Sequence, residues 1–157
     1  MRDAERVRGF AMPVALLTAV IQLAACSTPS WLCWFPGGVK TLTLVTQPDT
    51  NGNRAIAIDL VFVTQDLPAQ EIGKLNARDY FSRRAQLLRD FPGAVQVRSW
   101  ELAPGQLVEK ADTDPPCNLV RSYVFADYAA QGDHRAVLGN VSSVVVTLGP
   151  DDLMVTQ

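Results

Sequence analysis

The amino-acid sequence predicts an all-β protein, a β-sandwich of about seven strands with one inserted α-helix, and three observations support this class. Several short segments of residues 39–157 alternate apolar and polar side chains, which is the period of a half-buried strand. Pro, Gly, Asn and Asp cluster between these segments, as expected for turns. Residues 77–91 instead repeat apolar side chains at intervals of three and four. Short strands separated by turns are typical of a sandwich.

The first 25 residues predict a signal peptide rather than part of this domain. Arginines near the start precede a short apolar run over residues 10–25, and small residues end that run. It contains Pro13 and is shorter than the roughly 20 apolar residues of a membrane-spanning helix. It closes with Leu23-Ala24-Ala25-Cys26, which is similar to the lipobox of bacterial lipoproteins. The alternatives are an ordinary signal peptide or a single-span anchor, with a cysteine there by chance.

The lipobox divides the chain into a signal peptide over residues 1–25, a lipidated tether over residues 26–38 and a sandwich domain over residues 39–157. The sulfur of Cys26 would carry the lipid after cleavage of the peptide in front of it. Each buried acyl CH₂ contributes about 0.8 kcal/mol, so two or three chains hold a small domain at a membrane. Ser27 follows the cysteine. An aspartate there would resemble an inner-membrane retention signal, so its absence favours the outer membrane, with the domain facing the periplasm.

Lipidation of Cys26 would leave two of the three cysteines, Cys33 and Cys117. In an oxidising periplasm they are candidates for a disulfide. The closed loop would be long, and on the chain-entropy model such a bridge stabilises by about 4–5 kcal/mol. The alternative is two unpaired thiols, because a disulfide requires the two Cα atoms to lie within about 7 Å of each other. Three aromatic residues of the tether would pack on the domain, flank this bridge or lie among lipid headgroups: Trp31, Trp34 and Phe35.

The first two strands are predicted on either side of a polar connection. Residues 40–45 and residues 55–63 alternate with period two, and each has one strongly apolar face. In the second segment this face is formed by Ile56, Ile58, Leu60 and Phe62. The residues between them, QPDTNGNR, combine Pro, Asp, Asn and Gly, which predicts an exposed turn or loop.

The helix and the remaining strands follow in order. Asn76 can cap the helix, Pro92-Gly93 ends it, and one stripe of it is apolar. Further strands are expected over residues 95–102, 106–110, 119–130, 141–148 and 153–157. The apolar phase of the first of these shifts between Val97 and Trp100, which predicts a β-bulge.

The residues that usually carry catalysis or bind metals form no recognisable motif. His134 is the single histidine, so paired-histidine metal sites are excluded, and a solvated loop position is expected for it. Neither a G-x-S-x-G elbow nor a phosphate-binding glycine loop is present. Residues 49–53 resemble a calcium loop superficially, but Gly52 stands at the wrong position and no closing glutamate follows. The formal net charge of −2 argues against nucleic acid as a partner. We therefore expect no enzyme, no cofactor and no metal.

Several stretches, in this order, resemble the outer-membrane lipoprotein of type VI secretion systems, the TssJ (SciN, VasD) family. AIAIDLVFVTQDLP is similar to the family's second strand and the loop after it, and NARDYFSRRAQLLRDF to its helix. SWELAPGQ resembles its Glu-Leu…Pro-Gly turn, and SYVFADYAAQGDHRAVLG a later strand with the segment that follows. With the closing VVVTLGPDDLMV and the lipobox, the resemblance spans most of the mature chain.

The resemblance implies a transthyretin-like β-sandwich with an added helix. It also implies an outer-membrane protein that binds the periplasmic domain of the inner-membrane subunit TssM and so completes a trans-envelope complex. In the family the loop between the first two strands contributes to that contact. The equivalent residues here are Asp49, Thr50, Asn51, Gly52, Asn53 and Arg54, and a plain hairpin connection is the alternative reading of this loop.

Other functions are compatible with the same sequence. A periplasm-facing lipoprotein that binds a small molecule or glycan could use an aromatic groove formed by Trp31, Trp34, Trp100, Tyr123 and Tyr128. A pilotin-like factor for assembly of an outer-membrane secretin would have a pore subunit as its partner.

Overall fold

The computed structural model describes residues 37–157, which form two four-stranded β-sheets and two α-helices. The predicted signal peptide, the predicted lipidation site Cys26, Cys33 and the aromatic residues of the predicted tether lie outside these residues. Among the residues described, no helix is both long and apolar enough to cross a membrane. In chain order the elements are β1 Thr41–Thr46, β2 Ile56–Val63, α1 Asp66–Ile72, α2 Ala77–Asp90, β3 Val95–Leu102, β4 Leu107–Asp112, β5 Arg121–Ala126, β6 Arg135–Leu138, β7 Ser143–Leu148 and β8 Leu153–Thr156.

The two sheets have the strand orders β4-β1-β7-β8 and β3-β2-β5-β6. All neighbouring strands are antiparallel except β1 and β7, which run parallel in an unbroken register from Thr41 opposite Ser143 to Thr46 opposite Leu148. The main core lies between the sheets, because every second side chain of each inner strand points into it. Its fully buried members include Leu42, Leu44, Ile56, Ile58, Leu60, Phe62, Val124, Val144, Val146 and Leu148.

The two helices cover the outer face of the β3-β2-β5-β6 sheet and create a second core there. Val61 and Val63 of β2 and Phe125 of β5 pack under α1 and α2, against Ile72 and Tyr80. Strand β2 is therefore buried on both faces, whereas its sequence predicted one strongly apolar face. Burial of each large side chain contributes about 1.5–3 kcal/mol, so this second core fixes the helices on the sheet.

A buried polar contact also joins α2 to β2. Asp59 lies on the outer face of β2 and is 1% exposed. Its Oδ2 accepts a hydrogen bond from the Tyr80 hydroxyl at 2.8 Å and lies 2.9 Å from Nε of Arg84. The Tyr80 ring stacks on Phe125, with ring centroids 4.1 Å apart. Since a buried carboxylate needs such partners, this contact selects one position of the helix on the sheet.

Helix α1 was not predicted, because the sequence favoured a loop after β2. The helix has seven residues, and its N-cap, Gln65, makes no capping side-chain bond. Pro68 lies in its first turn, where a missing N–H breaks no intrahelical bond. The contacts that stabilise α1 are tertiary: Ile72 is fully buried, and the Tyr123 hydroxyl donates to the carbonyl of Ala69 at 2.8 Å.

The prediction of a β-sandwich with about seven strands is confirmed, but two local details are wrong. The predicted strand over residues 119–130 is the shorter β5, and β6 follows after a loop, so the described residues hold eight strands and two helices. β3 contains no bulge, since its register with β2 is continuous. The phase shift arises because Val95 and Val97 face the helices, while Trp100 packs against the core between the sheets. A register shift occurs instead between β1 and β4, where Lys110 has φ 45°.

Candidate functional site: a loop cluster at one end of the sandwich

The two ends of the sandwich carry different features. The described chain begins with Gly37 at the end where β1 starts, which we call the proximal end. β1 then runs to the opposite, distal end, a distance of about 20 Å for six residues of strand. Four connections meet at the distal end, because β1, β3, β5 and β7 all finish there. We call them the distal loops: residues 47–55, 103–106, 127–134 and 149–152.

The predicted partner-binding loop is one of the distal loops, and two of its six residues are buried. Thr50 is fully buried, and its hydroxyl donates to the carbonyl of Leu148 at 2.6 Å. Asn51 is 7% exposed. Its Nδ2 donates to the carbonyl of Ala55 at 3.0 Å, and its Oδ1 accepts from the backbone N–H of Ala129 at 2.8 Å. These two side chains hold the loop to its neighbours and are not available to a partner.

The backbone of this loop explains its unusual composition. Three successive residues, Asn51, Gly52 and Asn53, have φ of 51°, 61° and 59°. Gly adopts this left-handed region without strain, and Asn tolerates it better than most residues. The result is a tight turn that presents the other four predicted contact residues to solvent: Asp49, Gly52, Asn53 and Arg54.

Hydrogen bonds connect this loop to the other distal loops. The carbonyl of Gln47 accepts from the N–H of Gly105 at 3.1 Å, and its own N–H donates to Leu148 at 2.9 Å. The hydroxyl of Thr46 lies within hydrogen-bond distance of the carbonyls of Ala103 and Gln106, at 2.7 and 2.9 Å. The distal loops therefore form a bonded set rather than four independent hairpins.

His134 is buried, which contradicts the prediction of a solvated loop residue. Its Nδ1 lies 3.1 Å from a carboxylate oxygen of Asp152, and its Nε2 lies 3.1 Å from the carbonyl of Ala130. The ring of Tyr128 covers it, with ring centroids 4.8 Å apart. Burial, and then the charge of Asp152, raise the pKa of Tyr128. These contacts close the 127–134 loop onto the 149–152 turn. The neighbours of His134 in the sequence, Asp133 and Arg135, do not indicate these contacts, because Asp152 and Tyr128 come close to the histidine only in the folded chain.

The solvent-exposed surface of the distal loops is acidic. The four connections contain five aspartates, one arginine and one histidine. All five carboxylates belong to exposed residues: Asp49, Asp127, Asp133, Asp151 and Asp152. Arg54 is the single arginine of these four loops. Such a surface attracts a basic partner and repels an acidic one.

The other predicted sites are less well placed for a ligand. Within residues 37–157, no group of three or more His, Cys, Asp or Glu side chains is arranged to hold a metal ion. The aromatic residues suggested for a glycan groove are separated: Trp100 and Tyr128 pack with the core between the sheets, and Tyr123 with the core under the helices. Cys117 is disulfide-bonded. Its pairing with Cys33 stays a prediction, because Cys33 lies outside the described residues.

Comparison of the structure with solved structures identifies proteins of the same fold. The T6SS lipoprotein TssJ1 from Pseudomonas aeruginosa matches with a TM-score of 0.56 and 18% identity, over 74% of this chain and 92% of that one. A chain of a type VI membrane complex matches with a TM-score of 0.60 and 14% identity, over 76% of this chain and all of that one. A chain in a structure of the C-terminal domain of the T6SS protein TssM from EAEC matches with a TM-score of 0.56 and 16% identity, over 75% and 100%.

At these identities the likeness establishes the fold. It agrees with the fold that the sequence resemblance implied. No protein-family model and no curated protein sequence matches the chain.

Proposed function

We propose that this protein is the outer-membrane lipoprotein of a type VI secretion membrane complex. In this proposal the acylated Cys26 anchors the chain, and the distal loops bind the periplasmic domain of an inner-membrane subunit of the TssM type. The role is anchoring and assembly, without a catalytic step. Asp49, Gly52, Asn53 and Arg54 form part of the contact.

The observation that carries the proposal is the extent of the shared fold. The described domain covers 92–100% of the length of chains from T6SS structures, one of which is called a lipoprotein and another a membrane complex. The sequence adds the lipobox at residues 23–26, which is independent of the fold comparison. A sandwich alone is compatible with many functions, so the combination of fold and lipobox supports this one.

The position of the distal loops agrees with such a role. The described chain begins at the proximal end, and the loops lie at the opposite end of β1. In the proposed arrangement the lipid is on the proximal side and the distal loops are directed away from the membrane. Loops on a rigid scaffold are common binding sites, and the internal hydrogen bonds of these loops lower the entropy lost when a partner binds.

A pull-down from detergent-solubilised envelopes tests the proposal. The bait is the full chain with its native anchor, compared with the triple variant Asp49→Ala/Asn53→Gly/Arg54→Ala, in which glycine keeps the left-handed backbone at position 53. Asn51 is left unchanged because its side chain supports the loop. The matched control is Arg83→Ala/Gln86→Ala/Asp90→Ala, which removes the same number of exposed polar side chains from α2.

We expect the wild type and the α2 variant to capture a TssM-type protein, and the loop variant to lose it. Capture of a secretin, or no capture of a TssM-type protein by the wild type, would refute the proposed function. Equal capture by all three baits would show that this loop does not form the contact.

A further inference from the structure

We propose that the outer face of the β4-β1-β7-β8 sheet, with the adjoining edge of β8, is a docking surface for an extended segment of the partner. That segment would present apolar side chains to the sheet and basic side chains to the distal loops. The inference rests on the proposed function. It adds a second contact surface next to the distal loops. We call this surface the open face, defined by Thr43, Val45, Leu107, Val145, Thr147, Met154 and Thr156.

The register places these side chains side by side. Val45 lies opposite Leu107 on one side and Thr147 on the other, and Thr147 lies opposite Met154. These four residues therefore form one row across the whole sheet. The next row contains Thr43, Val145 and Thr156. Since side chains alternate between the faces of a sheet, all of them point away from the buried Leu44, Val146 and Leu148.

The open face carries several exposed apolar side chains. β1, β7 and β8 contain no charged residue, whereas the edge strand β4, LVEKAD, contains three. Leu107 is 51% exposed, Val145 36% and Met154 68%. On the other sheet, α1 and α2 pack on the outer face and bury its apolar side chains in a second core. Within residues 37–157, no helix covers the open face in this way. Exposed apolar side chains that adjoin one another mark an interaction site.

The edge of the sheet points to an extended occupant. β8 is an edge strand in the described sheet, and its sequence, LMVT, has neither a charge nor a proline. Proteins usually protect exposed edges with such residues, because unpaired backbone groups there recruit another strand. A partner segment paired with β8 would place every second side chain beside Met154 and Thr156, on the same face of the sheet as Val145.

The charges beside the open face select a basic partner. The row through Val45 and Thr147 lies one residue from the distal ends of β1 and β7, so it borders the acidic distal loops. Asp151 and Asp152 immediately precede β8. A segment whose apolar residues are followed by basic residues is complementary to both the open face and the acidic distal loops. A second copy of this chain would bring acidic loops together in a parallel arrangement, and an anionic lipid surface would be repelled by them.

The test measures binding of the purified periplasmic domain of the cognate TssM-type subunit to the full acylated chain in detergent micelles. The face variant is Leu107→Thr/Val145→Thr/Met154→Thr, because Thr keeps β-propensity while it removes apolar surface. The control variant is Leu88→Thr/Val137→Thr, which changes exposed apolar residues of α2 and β6. Thermal unfolding of each variant within a few degrees of the wild type establishes that it is folded.

We expect the face variant to raise Kd by about tenfold or more, equivalent to about 1.4 kcal/mol, and the control to leave it unchanged. Kd should also rise several-fold between about 50 and 300 mM NaCl, because salt screens the acidic loops. Amide hydrogen exchange should slow at residues 143–147 and 153–156 when the domain is added.

Other outcomes overturn the inference. If the wild type binds, the loop variant does not, and the face variant behaves like the control, the open face is not the contact although the proposed function stands. If residues 153–156 are equally protected with and without the domain, another part of this chain or a second copy covers the face. If the wild type fails to bind, the proposed function itself is lost.

Discussion

At the scale of single residues, buried polar side chains fix the position of the distal loops. Thr50 and Asn51 were predicted to contact a partner, yet both are buried and bonded within the chain. The sequence could not separate them from Asp49 and Arg54, because all belong to one polar stretch. What distinguishes them is the proximity of Leu148 and Ala129, which are about 80–100 positions away along the chain.

Asn51→Gly should destabilise the fold, whereas Asn53→Gly should not. Asn51 has φ 51° and Asn53 has φ 59°, so glycine relieves backbone strain to a similar extent at the two positions. Only Asn51→Gly removes two side-chain hydrogen bonds to backbone groups, which should lower the free energy of unfolding by about 1–3 kcal/mol. Thermal unfolding followed by circular dichroism measures the difference. Equal melting temperatures for the two variants would show that the bonds of Asn51 contribute nothing.

Asp59→Ala should cost more stability than Tyr80→Phe. The first substitution removes the common partner of Arg84 and the Tyr80 hydroxyl; breaking a buried ion pair costs about 3–5 kcal/mol. We expect about 2–3 kcal/mol, since the Arg84 side chain is 37% exposed and regains water. The second removes one hydrogen bond, about 1–2 kcal/mol, and keeps the stacking on Phe125. Urea unfolding compares them, and a larger loss for Tyr80→Phe would contradict this account of the contact.

Stability should fall in alkaline solution. Burial raises the pKa of Tyr80, with Asp59 as a second cause, and burial also raises the pKa of Tyr123 and Tyr128. A folded-state pKa above the unfolded value of about 10 means that the stabilisation is complete below pH 10 and is lost as the pH rises further. Urea unfolding from pH 8 to pH 11 tests this. Tyr80→Phe should show a shallower decline, and a flat profile for the wild type would refute it.

At the scale of elements, the sequence predicts the strands and the helix whose own residues carry a clear pattern. β1, β2 and β7 follow from alternation, and α2 from its apolar stripe and its cap. α1 and β6 were missed because each is short and depends on distant partners: α1 on Tyr123, and β6 on its pairing with β5. The shifted phase of β3 was interpreted as a bulge, because the sequence does not reveal that helices provide a second core.

The N-cap of α2 offers a test at this scale. Oδ1 of Asn76 accepts from the N–H of Asp79 at 2.8 Å. Asn76→Ala should therefore cost about 0.5–2 kcal/mol, while Asn76→Ser, which preserves an acceptor and adds no charge beside Asp79, should cost less. Chemical unfolding distinguishes the two. If Asn76→Ser were as destabilising as Asn76→Ala, the cap would not be what stabilises the start of the helix.

At the scale of the whole molecule, the fold separates the point where the described chain begins from the surface that we propose to bind. The proximal end receives the chain, and the distal end combines bonded loops, an acidic surface and the border of the open face. The sequence predicted one of these loops through a family resemblance. It could not show that three other loops and one sheet face adjoin it, because that neighbourhood is created by the pairing of β1 with β7 and by the turns at the ends of β3 and β5.

Site-specific photo-crosslinking in living cells tests the central claim most directly. A photoreactive amino acid replaces Asn53 in the distal loops of the full chain or, as the control, Asp114, which is highly exposed and lies in the proximal connection between β4 and β5. Mass spectrometry identifies what is attached. The proposal predicts a crosslink from position 53 to the periplasmic domain of a TssM-type subunit, and none from position 114. A crosslink to that subunit from position 114 alone, or a secretin attached at position 53, would contradict it.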